Sequence, residues 1–208
     1  ILILALESKN ESDITNAVTD VLKKCILTKN VDVDKLPTFD IEYIFLNIRA
    51  KSIGEDIKMT VTCPDDGVTQ VPVTLYVDEI KVVKPKDHKT DIVLDDKMTL
   101  RMKYPSLNQF IENNFTTTDN SEEVVNKSFK VIADCMDTIY TEEDAWDVND
   151  YTPSERLDFV EKLSSKQYKE VEKFFATMPK LSHTIEVINP NTKEKGSVIL
   201  EGLADFFG

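Results

Sequence analysis

Two stretches early in the chain carry apolar residues at helical spacing. The first predicts an amphipathic helix with a buried stripe that ends at Cys25; its members are Ile14, Ala17, Val18, Val21, Leu22 and Cys25. The second begins near Thr38 or Asp40, either of which suits an N-cap, and Gly54 is placed to end it. Because Tyr43 and Leu46 widen its apolar stripe, we expect this helix to be buried on more than one side.

From Ile57 the apolar residues recur at every second position. Alternation in residues 57–63 and 71–77 predicts two strands. Between them lies Pro64-Asp65-Asp66-Gly67, whose Asp-Gly pair favours a tight hairpin turn. Further short apolar runs occupy residues 80–83, 92–94 and 98–102. Together these runs predict a small antiparallel sheet over residues 57–102.

The second half of the chain returns to helical spacing. One long helix is predicted by the apolar positions Val125, Phe129, Ile132, Met136 and Ile139. Two capping boxes, Thr152 with Glu155 and Ser164 with Gln167, open further helices, because each box satisfies backbone donors at a helix start. Residues 181–188 and 197–200 then predict a hairpin around Asn189-Pro190-Asn191.

These elements predict an α+β fold that is mainly helical. We divide it into an N-terminal helical segment (1–54), a small antiparallel β module (55–104), a second helical segment (105–180) and a C-terminal β-hairpin with a tail (181–208). The segments form one compact unit or two small subdomains. Both hairpins carry a proline at the turn, and each resembles a zinc knuckle without its metal.

Composition narrows the classes of partner. The chain has 208 residues, of which 41% are hydrophobic, and this is enough to bury a core. Its net charge of −13 should repel nucleic acid and anionic membranes, so we expect neither as a partner. A basic protein is an easier partner, although acidity that serves only solubility remains an alternative. The start at Ile1, without a methionine, suggests that residues precede it.

Cysteine and histidine are too scarce for a metal centre. The three cysteines are odd in number and far apart, which argues against a disulfide framework and favours a reducing compartment. A structural zinc site needs four Cys or His ligands, usually in close pairs. The first hairpin supplies Cys63 alone, with Asp66 where a second cysteine would stand, and His88 and His183 are isolated. We therefore predict no metal and no other cofactor.

No complete catalytic constellation is visible either. Nucleophilic catalysis requires a base within hydrogen-bond reach, and neither histidine stands in a recognisable triad motif. The chain lacks a glycine-rich phosphate loop. An acidic stretch, residues 141–151, departs from the pattern of a calcium loop and is best explained as a solvated loop. We predict that the protein is not an enzyme and name no catalytic residues.

Three places are candidates for contacts with a partner protein. Arg49 and Lys51 lie at the end of the second helix, where they either complement the helix dipole or bind an anion. Trp146 and Tyr151 lie in the acidic stretch and either anchor a partner or fold back onto the core. The terminal pair Phe206 and Phe207 must dock either on this chain or on another chain.

Four segments resemble the baseplate hub proteins of T4-like phages, a group of hub subunits and hub assembly proteins. They are residues 38–46 (TFDIEYIFL) with 49–52 (RAKS), 102–107 (MKYPSL), 174–181 (FFATMPKL) and 200–207 (LEGLADFF). Members of that group often carry cysteine pairs in one or both hairpins. This chain keeps only Cys63 there, so the resemblance does not extend to metal binding.

The resemblance implies a non-enzymatic role in assembling the central hub of the tail baseplate through contacts with other hub or tail proteins. It implies a location in the virion tail baseplate, in the host cytoplasm during assembly, or in both. Homo-oligomerisation stays open. The alternatives are a dedicated chaperone for hub or tail components that is absent from the mature virion, a hydrolase that uses Cys63 or an acidic pair, and a generic acidic adaptor.

Overall fold

The computed structural model describes residues 11–107 and 121–207, without the side chains of residues 11–15, 121–124, 203, 204 and 207. These residues form two compact units. Of the described residues, the central unit contains those of Lys84–Met178 together with residues 11–15, and the terminal unit combines Asn16–Val83 with residues 179–207. The terminal unit is therefore built from both halves of the chain.

The described elements confirm an α+β fold. The helices are α1 (Glu11–Cys25), α2 (Thr38–Ile53), α3 (Ser121–Cys135), α4 (Pro153–Glu161), α5 (Ser165–Thr177) and α6 (Gly202–Phe207). The strands are β1 (Asp56–Thr62), β2 (Gln70–Tyr76), β3 (Lys81–Val83), β4 (Asp91–Val93), β5 (Thr99–Met102), β6 (Met136–Tyr140), β7 (Ala145–Asp147), β8 (Lys180–Ile188) and β9 (Lys195–Glu201).

The central unit packs its helices on an antiparallel sheet. The strand order is β4-β5-β6-β7, which leaves β7 at one edge. Leu100 on β5 pairs with Ile139 on β6, which pairs with Trp146 on β7. The buried cluster of this unit includes Leu100, Met136 and Phe174. The predicted capping boxes open α4 and α5 as expected, with both reciprocal hydrogen bonds present in each.

The terminal unit contains two further antiparallel sheets. One is the hairpin β1-β2, and the other has the order β3-β8-β9. Both predicted hairpins are confirmed, with pairs such as Val61 with Val71 and Ile185 with Val198. Every residue of α2 up to Ala50 is buried or half-buried, as its wide apolar surface predicts.

Several local predictions are wrong. The single sheet over residues 57–102 is instead divided among three sheets, because β3 pairs with β8 and β5 pairs with β6. The long helix predicted through Ile139 ends at Cys135, and residues 136–140 form β6. Their β-branched and aromatic residues pair with the apolar strand β5, so tertiary pairing overrides the helical spacing.

The ends of the first two helices also differ from expectation. Cys25 is exposed, because it lies in the last turn of α1 beyond the buried residues Ala17, Val18 and Leu22. At α2 the N-cap position is occupied by Pro37, without a side-chain cap, whereas Gly54 ends the helix as predicted. No described helix combines the length and apolar character that crossing a membrane would require.

Candidate functional site

A groove of about 540 Å³ in the central unit is the best candidate for a binding site. Its floor is apolar and is formed chiefly by Leu94 directly after β4, Met136 at the start of β6, and Val148 in the 3-10 helix Val148–Asp150. Its walls come from α4, the connection that follows it and the start of α5, through Phe159, Leu163 and Gln167 respectively. A volume of this size lies in the range that binding pockets occupy.

The structure brings the two predicted aromatic anchors together in this groove. Trp146 on β7 and Tyr151, directly after the 3-10 helix Val148–Asp150, both line it. Trp146 is 39% exposed and Tyr151 is 42% exposed. Neither ring is completely buried in the core, so both keep surface that another molecule can cover.

The charged groups along the groove differ in how well they are satisfied. Glu155 is engaged in the capping box, where its Oε2 accepts from the Thr152 backbone N–H at 2.9 Å. Asp158 accepts from Lys162 at 2.6 Å. By contrast, the Nε of Arg156 is buried and has no hydrogen-bond partner within the described residues. A buried donor without an acceptor is costly, so this atom lowers the stability of the fold around it.

Acidic side chains surround the exposed tryptophan. Glu142, Glu143 and Asp144 precede it, Asp147 follows it, and all four are exposed. None of the ion pairs found in the described part of the chain involves these four residues. The rim beside the groove therefore carries negative charge that no neighbouring lysine or arginine neutralises directly.

The cations at the end of α2 both have interactions inside the protein. Arg49 is half-buried, its Nη1 is inside the fold, and it takes part in contacts with its own chain. Lys51 forms an exposed ion pair with Glu55, which raises the pKa of Lys51 through the hydrogen bond between them. Their role in partner binding stays a prediction.

The C-terminal aromatic pair docks at least partly on this chain. Phe206 is 1% exposed and belongs to the core of the terminal unit, where α6 contacts α2 and β9. Little of the Phe206 ring is accessible to another molecule, and its role in partner binding stays a prediction. The side chain of Phe207 lies outside the described residues.

In the terminal unit, the two hairpin tips are joined by one buried asparagine. Asn189 is 1% exposed, and its Nδ2 donates to both carboxylate oxygens of Asp65 at 3.0 Å and to Asp66 Oδ2 at 2.9 Å. Its Oδ1 accepts from the backbone N–H groups of Asn191 and Thr192. We call the contacts between residues 63–69 and 189–194 the tip clamp.

The two halves of the tip clamp have matching backbone geometry. The backbone carbonyl of Cys63 accepts from the N–H of Gly67 at 3.0 Å, and the backbone carbonyl of Asn189 accepts from the N–H of Lys193 at 2.9 Å. Gly67 and Lys193 both have a φ of 67°. Tight packing also joins the tips, because a Cβ at Gly196 would lie only 2.6 Å from Pro64 Cγ.

Hydrogen bonds set the ionisation of the clamp carboxylates. The hydroxyl and N–H of Thr69 and the N–H of Val68 hold the pKa of Asp66 far below its usual range. The Thr192 hydroxyl, followed by Asn189, lowers the pKa of Asp65. Burial is the largest cause that raises the pKa of the Cys63 thiol, and the negative charges of Asp65 and Asp66 raise it further. This thiol is therefore poorly suited to act as a nucleophile.

The histidines and cysteines are not gathered into a reactive centre. His88 has both ring nitrogens engaged, Nδ1 at 3.1 Å from Thr177 Oγ1 and Nε2 at 3.0 Å from the Tyr104 hydroxyl. Burial raises the pKa of the Cys135 thiol to about 12. Across residues 11–107 and 121–207, no three His, Cys, Asp or Glu side chains are arranged to hold a metal ion.

Sequence reasoning missed Arg156 and the central role of Asn189. Arg156 carries one available signal, since a cation in the first turns of a helix opposes the helix dipole and is unexpected there. For Asn189 the proline that follows it indicates a turn, but nothing local predicts contacts with residues more than 120 positions earlier.

Comparison with known proteins adds the following. The family described as T4 bacteriophage base plate protein matches residues 1–208, the whole chain. No curated protein and no solved structure shows a significant match.

Proposed function

We propose that this chain, which belongs to the T4 bacteriophage base plate protein family, acts without catalysis in assembling the central hub of the tail baseplate. The observation that carries the proposal is the family match over all 208 residues. Membership of this family gives a structural or assembly role in the phage baseplate, contacts with other baseplate proteins and a place in the virion tail. The assignment to the hub rests on the four sequence segments described above.

The groove of the central unit supports a role in protein contacts. The central unit offers an apolar groove with two exposed aromatic rings, and such rings carry much of the energy of protein interfaces. In the terminal unit, the buried amide of Asn189 joins two hairpins through hydrogen bonds to Asp65 and Asp66. The first feature leaves apolar surface that another protein can cover, and the second fixes the positions of two hairpin tips.

Phage carrying a nonsense mutation in the gene of this protein tests the proposal. We expect tails to fail at the baseplate, with hub components accumulating outside complete baseplates, and purified hub components to co-migrate with the protein on gradients. Normal baseplates in the mutant, together with no co-migration, would refute the hub role.

A second candidate is a chaperone that leaves before the virion is complete. The strong negative charge favours it to the extent that an acidic surface can shield a basic partner. Mass spectrometry of mature virions separates the two functions. A hub subunit is present at a fixed stoichiometry to other baseplate proteins, whereas a chaperone is present in infected cells and absent from virions.

We also propose that the tip clamp is a metal-free counterpart of two zinc knuckles. Its four positions with knuckle spacing are Cys63, Asp66, Asn189 and Thr192. The combined variant D66C, N189C and T192C should bind Co²⁺ or Zn²⁺ in tetrahedral thiolate coordination, which the Co²⁺ absorption spectrum reports. The same variant with Cys63→Ser is the control and should bind less tightly. Equal spectra for the two variants would contradict convergence of the four positions.

A further inference from the structure

The groove of the central unit has an apolar floor, two exposed aromatic rings and an acidic rim, and together these define a complementary partner. We propose that it binds a basic polypeptide segment of another baseplate protein. An apolar side chain of that segment enters beside Trp146 and Tyr151. Flanking Lys or Arg side chains of the segment contact the acidic rim. The inference rests on the proposed baseplate function and names the partner chemistry.

Charge complementarity selects a basic occupant over an acidic or neutral one. Residues 141–163 contain eight Asp or Glu residues against two basic residues. One of the basic residues, Lys162, already pairs with Asp158. An acidic segment would meet repulsion along this rim, whereas a basic segment gains attraction that also accelerates its association.

The combination of an apolar floor and acidic neighbours selects a polypeptide over a purely apolar molecule. A hydrocarbon fills the floor but leaves the acidic residues beside Trp146 without a partner, whereas a polypeptide carries apolar and basic side chains together. The groove volume of about 540 Å³ suits one or two large side chains, not a whole folded domain.

Overlapping 15-residue peptides covering the baseplate proteins of the same phage provide the probe. The full chain is applied to the peptide array, and bound peptides are resynthesised with a fluorescent label for anisotropy titrations. We expect bound peptides to combine a large apolar residue with net positive charge, and to lose affinity several-fold as NaCl rises from 50 to 300 mM. Trp146 is the sole tryptophan of the chain, so its emission should shift to the blue on binding.

Variants separate the two parts of the site. Trp146→Ala should weaken binding at least tenfold. Joint substitution Glu142→Gln and Glu143→Gln should weaken binding and flatten its salt dependence. Tyr76→Ala is the matched control, because Tyr76 is a 53% exposed aromatic residue outside this groove, and it should leave affinity unchanged. Circular dichroism confirms that each variant is folded.

Several results would overturn the inference. Selection of acidic or uncharged peptides, no bound peptide at all, or equal effects of Trp146→Ala and Tyr76→Ala would each do so. Self-association that Trp146→Ala abolishes would assign the groove to a second copy. A red shift of Trp146 on deletion of residues 1–6 would assign it to the chain's own apolar start. If one of these results is obtained but phage lacking the protein do not complete their baseplates, only this inference is refuted and the proposed function stands.

Discussion

Replacing Asn189 by alanine should open the tip clamp. The substitution removes donors to two carboxylates, and hydrogen bonds to charged groups contribute roughly 1.5–3 kcal/mol each. It also removes the acceptor for two backbone N–H groups in the second turn. Because the carboxylates regain water when the tips separate, we expect a net cost of about 2–3 kcal/mol in total.

Hydrogen exchange measured by mass spectrometry reads this cost where it occurs. The backbone amides of residues 63–70 and 189–195 should exchange about 30- to 150-fold faster in Asn189→Ala, since each 1.36 kcal/mol is a factor of ten. Asn191→Ala is the matched control in the same turn. Asn191 is exposed and donates to Thr69 Oγ1 at 3.0 Å, so its loss should change exchange by less than about fivefold.

Asn189→Asp tests the role of the amide donor with almost no change of shape. At pH 7 it places a third carboxylate against Asp65 and Asp66, and this variant should be less stable than Asn189→Ala. Near pH 4.5 the crowded carboxylates can share a proton, so the order of the two variants should reverse. Equal exchange in wild type and Asn189→Ala, or no dependence of Asn189→Asp on pH, would refute the clamp.

Three further predictions concern stability. Burial lowers the pKa of His88, so this ring binds a proton more tightly in the unfolded state than in the folded state. The free energy of unfolding, measured by urea titration, should therefore fall as pH drops below about 6.5, and His88→Asn should reduce this pH dependence. Thr152→Ala deletes the hydroxyl that caps α4 and should cost about 1 kcal/mol in the same assay. Gly196→Ala should destabilise by about 1–3 kcal/mol through contact with Pro64, and adding Pro64→Ala should recover part of that loss.

Each of these predictions has a control or a contrary result. A pH dependence of stability that is the same in His88→Asn and in the wild type would contradict the role of His88. Ser154→Ala removes an exposed hydroxyl next to the cap and should change stability by less than about 0.5 kcal/mol. If the stability losses of Gly196→Ala and Pro64→Ala simply add in the double variant, the methyl group added at position 196 does not clash with Pro64.

The protonation state of His88 follows from its neighbours. Thr177 Oγ1 donates to the Lys173 carbonyl at 2.7 Å, so it accepts from Nδ1–H of His88. Nε2 therefore accepts from the Tyr104 hydroxyl, which describes a neutral imidazole. A second proton on the ring requires that hydroxyl to turn away, in agreement with the direction of the pKa shift.

The candidate groove was predictable only in part. Trp146 and Tyr151 stand out in the sequence as aromatic residues in an acidic stretch, and both line the groove. Its floor was hidden, because Leu94 directly follows β4 and Met136 begins β6, and these strands come together only through the order β4-β5-β6-β7. For Phe206 the sequence left open whether the ring docks on this chain or on another, and the structure shows that the ring is buried in the terminal unit.

Local chemistry determined the features that depend on neighbouring residues. The capping boxes at Thr152 and Ser164 and the helix end at Gly54 follow from backbone groups within a few positions, and the sequence alone predicts all three. The two hairpins are equally local, since alternation and turn residues specify their pairing.

Only the tertiary structure decided which distant segments meet. The spacing of residues 125–139 favours a helix, yet Met136–Tyr140 becomes a strand because β5 offers hydrogen bonds and an apolar partner surface. Asn189 shows the same principle in the tip clamp. Its sequence neighbours indicate a turn, but burial of its amide is stable only because Asp65 and Asp66, on a hairpin far away in sequence, supply the acceptors.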